Sequence, residues 1–287
     1  MTRPFRVAVI GANGQLGTDL CAEHRRAGDV VVALNEGRID VRDPEGLTQA
    51  IREAAPDVVI NTAAFHQVEK CEADPALSFA VNALGARNAS AAARAAGAYL
   101  IFISTDYVFD GRKTAPYVET DLPAPLNGYG NSKLSGEHFV RATWERSLVL
   151  RTSGLYGKSP CLGKGRNFVD LMLKLARERD EIRVVDNEVL TPTSAIEVAR
   201  QVVRLTRSPV YGLCHGTCEG QCSWYEFARE IFSIAGLKVN LQVARPDEFP
   251  MKVPRPMCSV LENAELKRRG LNTFRPWQDA LREYLKG

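Results

Sequence analysis

The chain has 287 residues, of which 45% are hydrophobic and 25% charged, with a formal net charge of +3. This is the composition of an ordinary globular protein, long enough for one large core or two unequal lobes, and its small charge gives no reason to expect a nucleic-acid partner. The apolar run after the basic amino terminus, Val7 to Ile10, is too short for a signal peptide or a membrane span, and no later run approaches spanning length, so a cytoplasmic protein without membrane attachment is expected.

Arg6 to Ile10 reads as a short buried strand, followed by Gly11-Ala12-Asn13-Gly14-Gln15-Leu16-Gly17 and an apolar-periodic segment carried by Leu16, Leu20 and Cys21. Strand, glycine turn and helix form a phosphate-binding context: the first glycine allows the turn, the second lets backbone approach a pyrophosphate, and the third lets helix pack on strand. Gly11, Asn13, Gly14, Gln15, Leu16 and Gly17 are therefore candidate dinucleotide contacts.

The next strand, Val30 to Leu34, runs into Asn35-Glu36-Gly37-Arg38. An acid here would bind an adenine ribose and an arginine a 2′-phosphate; neutral Asn35 with Arg38 close behind leans toward NADPH, with NADH open and a solvated loop arginine the alternative for Arg38. Asp40-Val41 precedes a helix of about ten residues starting near Pro44, and Asp57 to Ile60 is a further buried strand ending in Asn61-Thr62-Ala63-Ala64, small residues against which a cofactor can lie. Residues 75–96 read as one long Ala-rich helix closed by Gly97.

Tyr99 to Ile103 is the next strand, with Ser104-Thr105-Asp106-Tyr107 at its tip, where a hydroxyl can polarise a bound carbonyl. Pro125-Leu-Asn-Gly-Tyr-Gly-Asn-Ser-Lys133 then opens a helix on which Tyr129 and Lys133, four residues apart, share a face. An ammonium beside a phenol lowers its pKa toward the range of a proton-transfer catalyst.

Ser147 to Arg151 is another strand, after which the pattern loosens: a loop over Lys158 to Gly165, helices over 167–178 and 195–206, a turn over Glu188 to Ser194, and a helix over 223–235 with Ser223 as N-cap. Short strands and Val253-Pro254-Arg255-Pro256 follow. The fold class expected is α/β, a doubly wound parallel sheet of Rossmann type with a smaller mixed α/β substrate lobe. Residues 1–151 would form the dinucleotide-binding domain and 152–287 mostly the lobe, the helix at 195–206 returning to the first. Of the seven cysteines, Cys214, Cys218 and Cys222 stand beside His215, but Gly212, Gly216 and Gly220 argue against a helix and the paired C-x2-C spacing of zinc sites is missing. Reduced strand and loop thiols, and no metal, are expected.

Seven blocks together resemble the extended short-chain dehydrogenase/reductases and, within them, the dTDP-4-dehydrorhamnose reductase family: Gly11 to Gly17, Asn61 to Ala64, Ser104 to Gly111, Pro125 to Glu137, Leu150 to Ser153, Asn167-Phe168, and Arg255-Pro256 with Ser259. The resemblance implies Thr105, Tyr129 and Lys133 as a catalytic trio, with Tyr129 and Lys133 also touching the cofactor. It puts Asp40 and Val41 at the adenine, Ala63, Ala64 and Phe65 along the cofactor, and Val68, Glu69, Thr105, Asp106, Tyr129, Asn167 and Arg255 around a nucleotide-sugar. The implied reaction is NAD(P)H-dependent reduction of the C4 keto group of a 4-keto-6-deoxy nucleotide sugar, with Tyr129 supplying the proton, Thr105 a hydrogen bond, and Arg255 matching the pyrophosphate.

Two positions depart from the family: Gly154 follows Arg151-Thr152-Ser153 where an aromatic residue, often Trp, commonly stands, and Glu69 replaces a frequent Asp. A reductase or epimerase of another nucleotide sugar is the related alternative; dehydratases place a Glu after the Thr-Asp pair, where this chain has Tyr107. A non-catalytic NADP-binding regulatory subunit, which the superfamily also contains, is the alternative of another class, and a homodimer is one assembly the sequence leaves open.

Overall fold

A computed structural model describes residues 3–159, 165–245, 248 and 251–286. Arg6–Ile10 (β1), Val30–Leu34 (β2), Val58–Asn61 (β3), Tyr99–Thr105 (β4) and Ser147–Thr152 (β5) form one six-stranded sheet together with Gly212–His215. The order from one edge is Gly212–His215, β5, β4, β3, β1, β2, and every pairing is parallel. Strands β3, β4 and β5 are buried along their whole length, as a parallel sheet covered on both faces requires. Alternate residues feed two cores: Val7 and Val9 point into one with Leu16, Leu20, Val198 and Phe227, while Ala8 and Ile10 point into the other with Leu47, Ile51, Ala89 and Val140. The strand order reverses between β1 and β3, so the crevice at their carboxyl ends is where a ligand of this fold class sits.

The flanking helices are Gln15–Arg26 (α1), Pro44–Ala54 (α2), Val68–Ala73 (α3), Pro75–Phe79 (α4), Gly85–Ala95 (α5), Gly128–Thr143 (α6), Phe168–Glu178 (α7) and Ala195–Arg207 (α8). Local chemistry sets their starts: Asp43 accepts from the backbone N–H of Glu45 and Gly46 ahead of α2, whose first residue is proline. Asn127 does the same for α6 through Gly130.

The Ala-rich stretch is not one helix. Ala80–Leu84 forms a wide π turn between α4 and α5. The cause is tertiary: Asn82 in that turn accepts from Phe65 N and donates to Phe65 O, both at 2.8 Å, and donates to Ser132 Oγ at 3.0 Å. Ser78 joins the same buried network through Ser132 at 2.9 Å. Such turns recur next to functional sites because they re-aim a side chain without ending the helix. Here Asn82 ties the segment leaving β3 to the middle of α6.

Beyond β5 the chain builds a mixed region of short strand pairs: Leu155–Tyr156 with Thr193–Ser194, Val189–Leu190 with Cys222–Ser223, and Glu181–Val184 with Asn240–Val243. A helix over Trp224–Ala235 starts in a reciprocal cap between Ser223 and Glu226. Residues 160–164 of the glycine-bearing loop expected over Lys158 to Gly165 lie outside the described residues. The chain then re-enters the first layer twice, α8 packing on α1 and Gly212–His215 pairing with β5. Cys214 is in that strand, and burial pushes its thiol and that of Cys218 up to about 12, the behaviour of small apolar side chains. Among the described residues there is no group of three or more His, Cys, Asp and Glu placed to hold a metal ion, and no helix long and apolar enough to cross a membrane.

Candidate active site

The glycine turn is shaped by close backbone approach. Gly11 has φ +78°, and a Cβ there would lie 2.6 Å from Thr62 Oγ1; one on Gly17 would lie 2.1 Å from Gly11 O. Only glycine lets β1 turn and α1 close on the turn. Among the described residues no side chain caps α1: Gly14 is its N-cap, so the N–H groups of the first turn are open to an anion at the positive end of the helix. Leu16 is buried beneath the turn, Asn13 is exposed beside it, and Gln15 reaches across to Gly157 O at 3.3 Å. A cradle lined by backbone, with an uncapped helix start, fits the pyrophosphate of a dinucleotide.

At the end of β2, Asn35 Oδ1 accepts from Gly37 N at 3.1 Å, and Arg38 is an exposed cation beyond it. Asp40 is ion-paired with Arg42 at 2.6 Å, whose guanidinium holds the carboxyl below the usual range. Val41 is buried, its carbonyl accepting from Asn88 at 2.9 Å. Ala63, Ala64 and Phe65 leave β3 along the same crevice, held by Asn61 through Ala63 N and by Asn82 through Phe65.

Thr105 ends β4, and Tyr129 and Lys133 stand on successive turns of α6. The Tyr129 phenol is partly buried, shares a side-chain hydrogen bond with Thr105, and meets the Tyr107 ring edge-on at 5.8 Å between centroids. Burial pushes the phenol up from its ordinary value, with the Thr105 hydrogen bond opposing. The lowering expected from an adjacent ammonium is not what governs it. The Lys133 Nζ is instead turned to Ile103 O at 2.7 Å, over the Phe102 ring at 4.0 Å, and burial pulls it down to about 7 against the pull of Glu137.

That depression has a sign. Below about pH 7 folding forces a charge into the interior; between there and the ordinary lysine value the unfolded chain binds the extra proton, so stability from this group rises with pH. Replacing Lys133 with Met is expected to raise Tm relative to the parent more at pH 6 than at pH 9, a comparison thermal melts can make directly. A difference that stays constant across that range would show that Lys133 carries no such cost.

The residues assigned to a nucleotide-sugar divide. Glu69, on α3, forms an ion pair with Arg255, and Asn127 Nδ2 donates to Pro254 O at 2.9 Å, so the cap of the Tyr129 helix also anchors the arginine segment. Val68 is buried beside Glu69. Asn167 is held by bonds within the protein. It caps α7 through Asp170 N at 3.0 Å and donates to Gly157 O at 2.8 Å, Asp170 at 2.9 Å and Tyr284 at 3.1 Å. Asp106 is 5% exposed and turns its carboxyl inward, where Ser153 Oγ donates to it at 2.9 Å. Sequence reading missed Tyr107 as a neighbour of Tyr129 and the role of Asn82; nothing in local pattern marks either.

Gly154 owes its identity to the backbone. Its φ is +53°, and a Cβ there would lie 2.8 Å from Leu190 Cδ1 and 2.9 Å from Thr191 O. No aromatic platform fits this turn without moving the Leu190–Thr191 segment. Gly154→Trp is expected to destabilise the fold by roughly 1–3 kcal/mol, from left-handed strain and overpacking. Urea unfolding checks it, and a Trp variant as stable as the parent would mean that the turn has another available geometry.

Comparisons with known proteins agree with this architecture. A family model described as "RmlD substrate binding domain" matches residues 5–287. The chain is 38% identical to the spore coat polysaccharide biosynthesis protein SpsK of Bacillus subtilis, over 98% of this chain and 97% of that one. It is 35% identical to the dTDP-4-dehydrorhamnose reductase of Sinorhizobium fredii, over 97% and 96%. Among solved structures, the dTDP-4-dehydrorhamnose reductase of Bacillus anthracis in complex with NADP superposes with a TM-score of 0.94 at 36% identity, over 99% of both chains. A UDP-glucose 4-epimerase of Thermus thermophilus, 23% identical with a TM-score of 0.81, shares the fold. With the match running nearly end to end, the chain belongs to the dTDP-4-dehydrorhamnose reductase family.

Proposed function

We propose that the protein is an NADPH-dependent reductase that converts the C4 keto group of dTDP-4-dehydrorhamnose to the alcohol of dTDP-L-rhamnose. The observation that carries the reading is the meeting of Thr105 and Tyr129 through a hydrogen bond at the carboxyl edge of the sheet that also holds the Gly11–Gly17 cradle. When bound, the reduced nicotinamide supplies the hydride. The chain's own residues do the rest.

Tyr129, like any phenol, is neutral through the neutral pH range, and burial raises it further, so it holds the proton that the developing alkoxide takes. Thr105 donates a hydrogen bond to the same oxygen, a fixed dipole aimed where charge develops. Lys133, one turn along α6, sits near its midpoint at neutral pH, and leaving Ile103 O for a ribose hydroxyl would bring its charge toward Tyr129. Arg255 offers a planar donor fork to a pyrophosphate, exchanging the Glu69 carboxylate for phosphate oxygens. Arg38, exposed at the end of β2, supports preference for the 2′-phosphate of NADPH.

The test mixes purified protein with dTDP-4-dehydrorhamnose and follows NADPH absorbance. Oxidation dependent on the sugar nucleotide supports the assignment, and no oxidation with NADPH or NADH overturns it.

A further inference from the structure

Asp106 stands directly under Thr105 and reaches three hydroxyls. Thr105 Oγ1 lies 3.0 Å from Asp106 Oδ1, Ser153 Oγ donates to Oδ2 at 2.9 Å, and the Ser259 side chain hydrogen-bonds the same carboxyl. These groups come from the end of β4, the residue after β5, and the segment following Arg255, so one carboxyl joins three parts of the site. The backbone N–H of Tyr107 also donates to Thr105 Oγ1, at 3.2 Å.

A threonine hydroxyl has one proton and two lone pairs. If Asp106 is ionised it can only accept, the Thr105 proton is spent inward, and nothing is left to donate to Tyr129 or to a substrate carbonyl. If Asp106 is neutral, its O–H fills one Thr105 lone pair and Tyr107 N–H the other. The Thr105 proton is then free to point outward. In the first arrangement the Tyr129 O–H would have to fill the remaining Thr105 lone pair, spending the proton the carbonyl needs; only the second leaves that proton facing outward.

We propose that Asp106 is a positioning residue, held as the neutral acid, that donates to Thr105 and so keeps the Thr105 hydroxyl proton pointing outward, to the Tyr129 oxygen in the free protein and to the reacting carbonyl when substrate is bound. Burial, the largest influence on its pKa, raises it and acts in the same sense, against the hydrogen bonds from Ser259, Ser153 and Thr105 and from backbone, which lower it. The ionisable groups facing it are Tyr107 beside it in the chain, itself near Arg255 and Glu188, and Tyr129 from α6. Arg151, across from Ser104 on β5, is held by Glu137.

The proposal rests on the reductase reading for its kinetic arm but not for its spectroscopic one. Asparagine reproduces a neutral acid here, its amide donating to Thr105 and its carbonyl accepting from Ser153; alanine does neither. D106N is expected to lose no more than about threefold in kcat, and D106A about 10–100-fold with a smaller change in KM. D106N falling as far as D106A overturns the proposal. Independently, the infrared spectrum of the parent minus that of D106N should show the deuterium-sensitive carbonyl band of a neutral carboxylic acid at neutral pH. A carboxylate band in its place overturns the proposal even if D106A does not fold, or if the parent does not turn over the sugar nucleotide.

Discussion

Replacing Tyr129 with phenylalanine is expected to lower kcat by about 10²–10⁴-fold, the usual contribution of a positioned proton donor. The ring would keep its place: its edge contact with Tyr107 and its position in the first turn of α6 need no hydroxyl. Only the proton and the hydrogen bond to Thr105 are removed. On the proposed placement of the cofactor in the cradle around Gly11 and along the β2 and β3 ends, its affinity should change little. The loss therefore falls on kcat rather than on KM for NADPH, as expected when an interaction made in the transition state is deleted. Steady-state rates from NADPH absorbance measure it. A Tyr129→Phe variant within about tenfold of the parent would remove the proton-donor role, because no positioned acid contributes so little.

The second large effect concerns stability. Under the site, Arg151 and Glu137 form a buried pair, 3% and 4% exposed, with Arg151 Nε at 2.9 Å from Oε1 and Nη2 at 2.6 Å from Oε2. Ser104 Oγ donates to Oε1 at 2.6 Å, and the guanidinium lies 5.1 Å from the Phe109 ring centre. Nη1 is already buried without a hydrogen-bond partner among the described residues. Removing the carboxylate would strand a full charge in the interior, so Glu137→Leu is expected to cost about 3–5 kcal/mol. Changing both residues, Glu137→Leu with Arg151→Met, is expected to cost less than the single change, because the pair's desolvation cost is then relieved as well. Urea unfolding of the parent, both single variants and the double variant measures this cycle. A single Glu137→Leu variant within about 1 kcal/mol of the parent would show that water reaches Arg151 and that the pair does not lock β4, β5 and α6.

The same elements explain what could be read in advance. β1 and the glycine turn were legible because their constraints are local: a short apolar run, a left-handed Gly11, and a helix that can close only over Gly17. The doubly wound parallel sheet follows from the alternation of such runs with helical periods. The spacing of Tyr129 and Lys133 placed them on one helix face, since helical geometry needs no tertiary information. What that spacing could not give was direction. Lys133 is turned to Ile103 O by the packing of α6 on β4, and burial moves the phenol and the ammonium opposite to the simple expectation of mutual charge stabilisation.

The contacts that sequence could not supply share one cause: partners that only the packed chain brings together. Asn82 widens its helix because Phe65 and Ser132 lie within reach. Asn127 meets Pro254 and Glu69 meets Arg255 across more than a hundred residues, which no local pattern encodes. Asn167 caps a helix, and Asp106 faces inward to serines from two other segments. The layers of this protein and the chemical types at its site are written in the order of its amino acids, because backbone sterics and hydrophobic periodicity act over a few residues. Folding alone settles which of those groups face the crevice, which are spent on one another, and which way their protons point. Hydrogen-bond direction and desolvation depend on neighbours that come together only in the packed chain.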